Sequence, residues 1–522
     1  MSVTTFISLP EDLHIRILAE LNGKSIVRCA MTCKTLYETL RNSLVLEYRI
    51  QLYFDGLEDA GTSTSSVASL ISNLRHYREA CSMQKWSRFI DTFAFSSRYK
   101  SHHLYKFGGG AISVTNGDRL ETVWLPNGRT GKGLVTIEHK LSTDGVAVFC
   151  MDPTQDVMAI LECVYREDPG AYDGYIHELR IFIRTLSTNT DHPLANMGVL
   201  DIPDVVKIQN PKLEVSHNTL VLWTCDYMPR VLIWDWKTGQ RLRNLNLNAP
   251  ESYGHIHDFG LLGSSDFAFL TRPAGFGSIE IYRLKHDAHL ATLHFPSYSR
   301  GTTVTSVNIT SYSNPVHVHQ APYGPFIVDT EEQIYAFEVY YKYSSSKTGF
   351  RHFSMTMYAH QRIFMKYCTH EAAWDQPAVD VPWEEWGPAN TAIDKSYPSY
   401  GPRPIHGQRI LCTTRPDHYI EMKDFTLGAV LAADDAPWMF SLEERKLAGR
   451  LIRYTKIYAD EVPIFANDLE GRLPYVSYLF IEHPIGDISH YLMIMMCEEG
   501  IKPDDDDVVK RNRMYIYSPL AL

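Results

Sequence analysis

The sequence predicts a multidomain α + β chain, with an N-terminal three-helix module followed by an all-β domain of recurring meanders. Three observations predict it. Residues 8–42 carry apolar side chains at helical spacing between capping residues. Later segments alternate apolar and polar residues and are divided by tight turns. One three-strand pattern returns at an interval near fifty residues. At 522 residues the chain exceeds one compact core, so two or more units are expected.

The first helix opens at Ser8-Leu9-Pro10-Glu11. Ser8 is expected to cap free backbone N–H groups, Pro10 to sit where its missing N–H costs nothing, and Glu11 to close a capping box. Leu13, Ile17, Leu18 and Leu21 follow as one apolar stripe, and Asn22-Gly23 is expected to end the helix through a left-handed residue. A second helix starts after Ser25 with Ile26, Val27, Ala30 and Met31, and a third carries Leu36, Tyr37 and Leu40 before Asn42. Three such helices bury little surface alone. Either a partner covers part of this module or it packs on the rest of the chain.

Leu44, Leu46, Tyr48, Ile50, Leu52 and Phe54 alternate with more polar neighbours, which predicts a strand. Gly61 to Ser66 reads as a surface loop. Val67, Leu70, Ile71, Leu74, Tyr77 and Cys81 share one helical face, so a helix over 66–81 is expected to join the module to the large domain, with Trp86 and Phe89 at the joint.

From about residue 93 strands dominate. The clearest meander runs 218–224, a turn at 226–229, then 230–236, a turn at 237–240, and 241–247. Its Trp234-Asp235 resembles the WD-repeat blade signature, which implies a propeller-like domain. The pattern recurs at 267–270, 279–284 and 290–295, with Tyr282 48 positions after Trp234. A weaker copy at 157–161 and 179–183 has Phe182 52 positions before Trp234. Further strands are expected at 353–358, 418–422, 475–481, 491–495 and 514–517. The interval leaves room for about seven or eight blades, or fewer with long loops.

Leu9-Pro10, Leu13, Ile17-Leu18, Leu21, Ile26, Cys29 and Cys33-Lys34 resemble the F-box motif, with Thr32 where Val is usual and Leu36 where Trp is usual. The resemblance implies an F-box over 5–46, a linker strand and helix over 47–92, and a β-propeller-like interaction domain over 93–522. It implies that Leu9, Pro10, Leu13, Ile17, Leu18, Leu21, Ile26, Cys33 and Leu36 bind a Skp-type adaptor and through it a cullin. The β domain would then recruit a protein target for ubiquitin transfer. Segments 382–391, 406–409 and 473–475 also resemble those of a group of fungal F-box proteins. Two other functions fit the sequence: a propeller scaffold independent of ubiquitin transfer, and a hydrolase with its site in the propeller channel.

Composition narrows the partners. Hydrophobic residues make up 44% and charged residues 21%, and the net charge is −11, the balance of an ordinary globular protein. The one basic cluster, Lys510-Arg511-Asn512-Arg513, follows acidic Asp504 to Asp507 and reads as a solvated loop, so no nucleic-acid partner is expected. Nine widely spaced cysteines without a CxxC predict neither a disulfide framework nor a four-ligand zinc site. No secretory signal or membrane span is legible, and an intracellular location, cytoplasmic or nuclear, is expected.

Catalytic chemistry has little support. His255-x-His257, His286-x-x-His289 and His317-x-His319 have ligand-like spacing without the accompanying Glu or Cys, and HExxH, GxSxG and Walker patterns do not occur. No enzyme, metal or cofactor is expected. Gly108 to Gly110 reads as a turn, and Cys29 and Cys33 as packing residues. Trp374, Trp383 and Trp386 lie in a Pro-rich acidic segment that reads as a long loop. These rings are expected either to anchor a target protein or to fold back on the domain.

Overall fold

The computed structural model describes residues 6–61, 63–83, 87–89, 95–97, 105–108, 111–115, 119–124, 135–140, 146–167, 175–202, 211–224, 230–246, 258–263, 267–273, 277–284, 288–299, 301–310, 326–329, 332–345, 349–368, 378–396, 405–413, 420–433, 450–458, 464–465, 467–480, 486–489, 492–499 and 510–518. A 3₁₀ turn at Phe6–Ser8 leads into α1 (Glu11–Ala19), α2 (Gly23–Ala30), α3 (Lys34–Asn42), α4 (Leu44–Asp55) and α5 (Val67–Met83).

Two capping expectations are corrected. Pro10, at φ −57° and ψ 149°, is itself the residue before α1 and not its first helical residue. Its φ would suit the helix; the extended ψ places it just outside. Asn22 begins α2 instead of ending α1, its side chain accepting from Ser25 N–H, while α1 closes at Glu20 in ordinary right-handed geometry. Gly23 serves packing rather than a turn: a Cβ there would lie 2.3 Å from Cβ of Tyr53 on α4.

The expected strand at 44–54 is α4, a helix. Ser43 Oγ accepts from Leu46 N–H, and Gly56 closes the far end at φ +64°. The strand-like alternation arises because α4 buries side chains on two sides, against the bundle and against α5 with the β domain, which blurs the one-sided pattern of a surface helix. Leu46, Ile50 and Phe54 enter the bundle core with Leu18, Ile26 and Leu36. Tyr48 and Leu52 face Leu70, Ile71 and Leu74 of α5 together with Phe326, Val328, Met422 and Val476 of the β domain. The expected joining helix is α5, with Ser66 Oγ accepting from Ser69 N–H at its start. Of the two residues expected at the joint, Phe89 lies in a strand and Trp86 falls outside the described residues.

The described residues form seven sheets of four or five strands, antiparallel except for one edge, and two small two-stranded pairs, one of them using Leu57–Asp59 ahead of α5. The first sheet spans 105–140, the second 146–202 and the third 212–246. The fourth spans 258–294 and gains Val379–Val381 as a parallel edge. The fifth joins Thr302–Thr310, Ile334–Ser345, Gly349–His360 and Thr391–Ser396. The sixth spans 405–424, with Tyr475–Phe480 and Arg450–Ile452 added. The seventh combines strands of 486–518 with Ser87–Phe89 and Phe95–Ser97 from the start of the domain.

Each of the middle sheets is buried on both faces. One face of the third meets the second through Leu213, Leu220, Leu222, Leu232 and Trp234, and the other meets the fourth through Val221, Trp223, Val231 and Ile233. The same handing-on joins first to second, fourth to fifth and fifth to sixth. Meander sheets stacked face to face in chain order, with the first and last strands sharing one sheet, make a β-propeller-like domain. Three helices interrupt it, α6 (Gln361–Cys368), α7 (Trp383–Asn390) and α8 (Leu427–Ala433), so the domain is mostly β.

The sheet interiors explain the recurring signal. The third strand of the third sheet has a bulge between Ile233 and Trp234, and the fourth sheet has the same bulge between Ile281 and Tyr282. Tyr282 is therefore the structural counterpart of Trp234. In the second sheet the counterpart is shifted: Thr185 makes the turn bonds that Asp235 makes in the third, so Arg184 rather than Phe182 matches Trp234. The five further strands are found at Gly349–His360, Ile420–Asp424, Tyr475–Phe480, Leu492–Glu499 and Lys510–Ser518. Lys510 to Arg513 thus opens a strand instead of forming a loop, while Asp504 to Asp507 lie outside the described residues.

Candidate docking surface

α1 lays two kinds of side chain on opposite sides of one short helix. Leu18 and His14 are buried, whereas Leu13 and Ile17, one turn apart, are 41% and 44% exposed. Pro10 is exposed ahead of them and Leu9 half-buried. Phe6 and Ile7 on the preceding turn are also exposed. The expected set therefore divides. Pro10, Leu13 and Ile17 offer surface, with Leu9, Leu21 and Cys33 at its margin. Leu18, Ile26 and Leu36 lie in the bundle core and act by holding the helices in place.

Further apolar surface comes from residues that the motif did not include. Met31 at the end of α2 is 81% exposed, and Tyr37, Leu44 and Val45 are exposed on α3 and α4. Phe6-Ile7 had a legible signal, two apolar residues placed immediately before the helix start. His14 had none; a polar residue on a surface helix gives no hint that its ring will be 2% exposed. Its Nε2 donates to Phe6 O at 2.8 Å, and the two rings stand 5.0 Å apart.

α5 is tied to α4, and both are joined to the β domain. Arg78 of α5 grips Asp55 with Nε and a second nitrogen at 3.0 and 2.8 Å and also donates to Gln51 at 2.7 Å, all three side chains buried. Leu57–Asp59 pairs with Phe326–Val328. Gly56 abuts Gln408 so closely that a Cβ would lie 2.3 Å from its amide nitrogen, and Gly56 O accepts from Asp329 N–H. Next to Gln408, Arg409 pairs with buried Asp424, whose other oxygen accepts from Thr426 N–H at the start of α8. Leu431 of α8 reaches the bundle core.

The three sequence segments singled out in the C-terminal half meet around this joint. Leu473 N–H donates to Thr391 O, Arg472 N–H to Pro388 O, and Ile405, Phe425, Leu473 and Tyr475 share one cluster. Beside them Lys423 is held between Asp394 at 2.7 Å and Glu421 at 3.2 Å. Burial alone would lower its pKa; the facing carboxylate of Asp394 outweighs this and holds it well above the usual lysine value. These segments build the interior.

Of the two expectations for the tryptophans, folding back on the domain holds for two of three residues, and the long loop is corrected to a helix. Trp383 and Trp386 lie on α7 and are buried, Trp386 to 1% exposure. Trp386 Nε1 donates to His294 O at 2.9 Å, and its ring meets Trp383 edge-on at 5.2 Å. Gly387 makes room, since a Cβ there would collide with the Trp383 ring. Neither ring is available to a target. Trp374 lies outside the described residues.

Acidic residues converge once on the inner strands. Glu214 and Asp258 both bind Lys212, at 3.5 and 3.1 Å, while Glu214 also accepts from Leu261 N–H and Asp258 from Phe259 and Ile309 N–H. Burial would lower Lys212, but Asp258 and Glu214 hold it raised. Both carboxylates are thus engaged in tying the third, fourth and fifth sheets together. Lys106 on the first sheet feels the same carboxylates, yet burial pushes its pKa down. Among the described residues no group of three or more His, Cys, Asp and Glu is placed to hold a metal ion. His289 stacks on Tyr282 at 4.7 Å, and its five partners in the three expected pairs lie outside the described residues. Cys29 and Cys33 are free thiols packed against the bundle core. Among the described residues no helix is long and apolar enough to cross a membrane.

Residues 6–48 match the F-box domain family. No curated protein matches the chain. Three solved structures share a loose likeness: the WD40 domain of SCAP from fission yeast, at 9% identity and a TM-score of 0.32, covering 82% of this chain and 98% of that one; the polysaccharide lyase Uly1, at 10% and 0.37, covering 82% and 93%; and the C-terminal WD40 domain of Sif2, at 10% and 0.29, covering 67% and 87%.

Proposed function

We propose that this F-box protein, with its C-terminal β-propeller-like domain, is a substrate receptor of a Skp–cullin–F-box ubiquitin ligase. The observation that carries the reading is the exposed apolar strip of Pro10, Leu13 and Ile17, lying within the F-box match and supported from behind by a closed core. Docking by a preformed helical face needs no catalysis in this chain. The adaptor brings the cullin, and the β domain holds a target protein near the ubiquitin-charged enzyme, raising its effective concentration. The rigid joint around Arg78 and Gly56 supports this role, because it keeps a held target at a set distance and angle from the adaptor.

The test is adaptor binding by the full chain carrying Leu13→Ala and Ile17→Ala together. Affinity is expected to fall by about 2–4 kcal/mol, as for the truncation of central interface residues, with the melting curve unchanged. Wild-type affinity in the folded double variant would overturn the docking assignment. Adaptor binding without ligase activity toward any co-purified protein would favour a scaffold.

A further inference from the structure

His14 is the one fully buried polar side chain on α1, and its environment is one-sided. Phe6 O, 2.8 Å from Nε2, is an acceptor only, so the ring carries its proton on Nε2 and donates. Nδ1 has no hydrogen-bond partner. A buried imidazole with one nitrogen left unsatisfied is costly relative to leucine in the same space, so a packing role alone does not account for it.

What the bond holds is the turn before α1. Leu9 N–H also donates to Phe6 O at 3.1 Å, and Pro10, the residue before the helix, offers it no side-chain cap. The imidazole adds a side-chain hydrogen bond from inside α1 to this turn, and losing it loosens the hold of the helix on Phe6. Phe6 and Ile7 stand exposed on this turn beside the Pro10, Leu13 and Ile17 strip.

We infer that His14 is a positioning residue for adaptor docking, fixing the Phe6–Ser8 turn so that Phe6 and Ile7 extend the apolar face of α1. The inference rests on the adaptor reading for its consequence, though not for the turn itself. With the turn already ordered, binding does not have to immobilise it, and the gain appears as affinity.

The experiment compares His14→Leu, which fills the space without a donor, with His14→Gln, which keeps an N–H, in the full chain. Three quantities are measured: affinity for a purified Skp-type adaptor, amide exchange at Leu9 in the free protein, and thermal melting. His14→Leu is expected to weaken binding about three- to tenfold, the worth of one hydrogen bond, and to speed Leu9 exchange. His14→Gln is expected to restore both, with the β-domain melting unchanged throughout. Equal losses in the two variants, or wild-type binding by His14→Leu, would overturn the inference. His14→Asn, whose amide is too short to reach Phe6, replaces His14→Leu if that variant does not fold. If the wild type binds no adaptor, the docking reading fails, and Leu9 exchange alone decides the positioning role: faster in His14→Leu than in His14→Gln supports it, equal rates sink it.

Discussion

α1 and α7 are of nearly equal length and both carry large apolar side chains marked from the sequence as candidate binding surface. They end in opposite places. α1 keeps Leu13 and Ile17 outside, whereas α7 turns Trp383 and Trp386 inward. The difference lies in what each helix finds behind it. Trp386 meets an acceptor for its indole N–H in His294 O and a facing ring in Phe364, and Gly387 lets the second indole close over it. Among the described residues the outer face of α1 has no such complement, because the bundle core is filled by Leu18, Ile26, Leu36, Leu46, Ile50 and Phe54. Apolar content alone does not identify an interface; the supply of partners within the chain does.

The largest expected effect breaks the α7 side. Trp386→Ala removes a fully buried ring and strands His294 O, and should destabilise the β domain by about 3–5 kcal/mol in chemical denaturation, leaving adaptor affinity of the folded fraction within about twofold. An affinity loss equal to that of the Leu13/Ile17 variant would mean that α7 is part of the docking surface.

Next comes the α4–α5 contact that lies beside the joint. Arg78→Ala leaves Asp55 as a buried carboxylate without its cation and should cost about 3 kcal/mol. If helices and β domain are one cooperative body, the loss lowers a single melting transition. A second, separate transition would show that the α1 face rides on a detachable module.

A smaller effect depends on pH and again separates the regions. His360, buried at the junction of its strand with α6, has its pKa pushed down to about 3 by burial. Unfolded, it titrates near about 6.5. Folding therefore excludes a proton that the unfolded chain binds, so this contribution is complete above pH about 6.5 and declines as pH falls toward about 3. The slope is about 1.4 kcal/mol per pH unit, or roughly 2 kcal/mol lost by pH 5. Denaturant midpoints followed by tryptophan fluorescence at pH 7 and 5 should show this loss, and His360→Gln should reduce it. An unchanged pH profile in His360→Gln would assign the acid sensitivity elsewhere.

Much of the architecture was legible. The meander at 218–246 and its copy after 267 were read from alternation and turn residues, and the shared bulge at Trp234 and Tyr282 explains why the copies were so regular. The F-box motif was legible from its order and spacing. α4 was not, because burial on two sides, with exposed Leu44 and Val45 at its start, breaks the single apolar stripe that the helical period would display. The helix that carries Trp383 and Trp386 was read as a loop because proline, glycine and acidic residues around them resemble irregular chain, and the choice between outward and inward rings depended on the distant His294 carbonyl. Phe182 was displaced by two residues, a shift that keeps the same sheet face and so is invisible to alternation. Exposure on α1 was half legible, since a stripe of four leucine and isoleucine residues does not say which of them the bundle consumes.

The seventh sheet has a consequence for the life of the chain at the ribosome. Its strands Ser87–Phe89 and Phe95–Ser97 emerge early, yet they pair with Lys510–Ser518, the last described strand to be made. The helices α1 to α3 have their local partners at once, so an adaptor surface can mature while the β domain is still being synthesised. During that interval the early strands have an unsatisfied edge, the kind of surface that chaperones and wrong partners capture. If the proposed adaptor docking holds, a ribosome stalled before this strand would release a chain able to bind the adaptor without a completed β domain. Loss of Lys510–Ser518 should then behave as a dominant defect, and not as a simple absence of the protein.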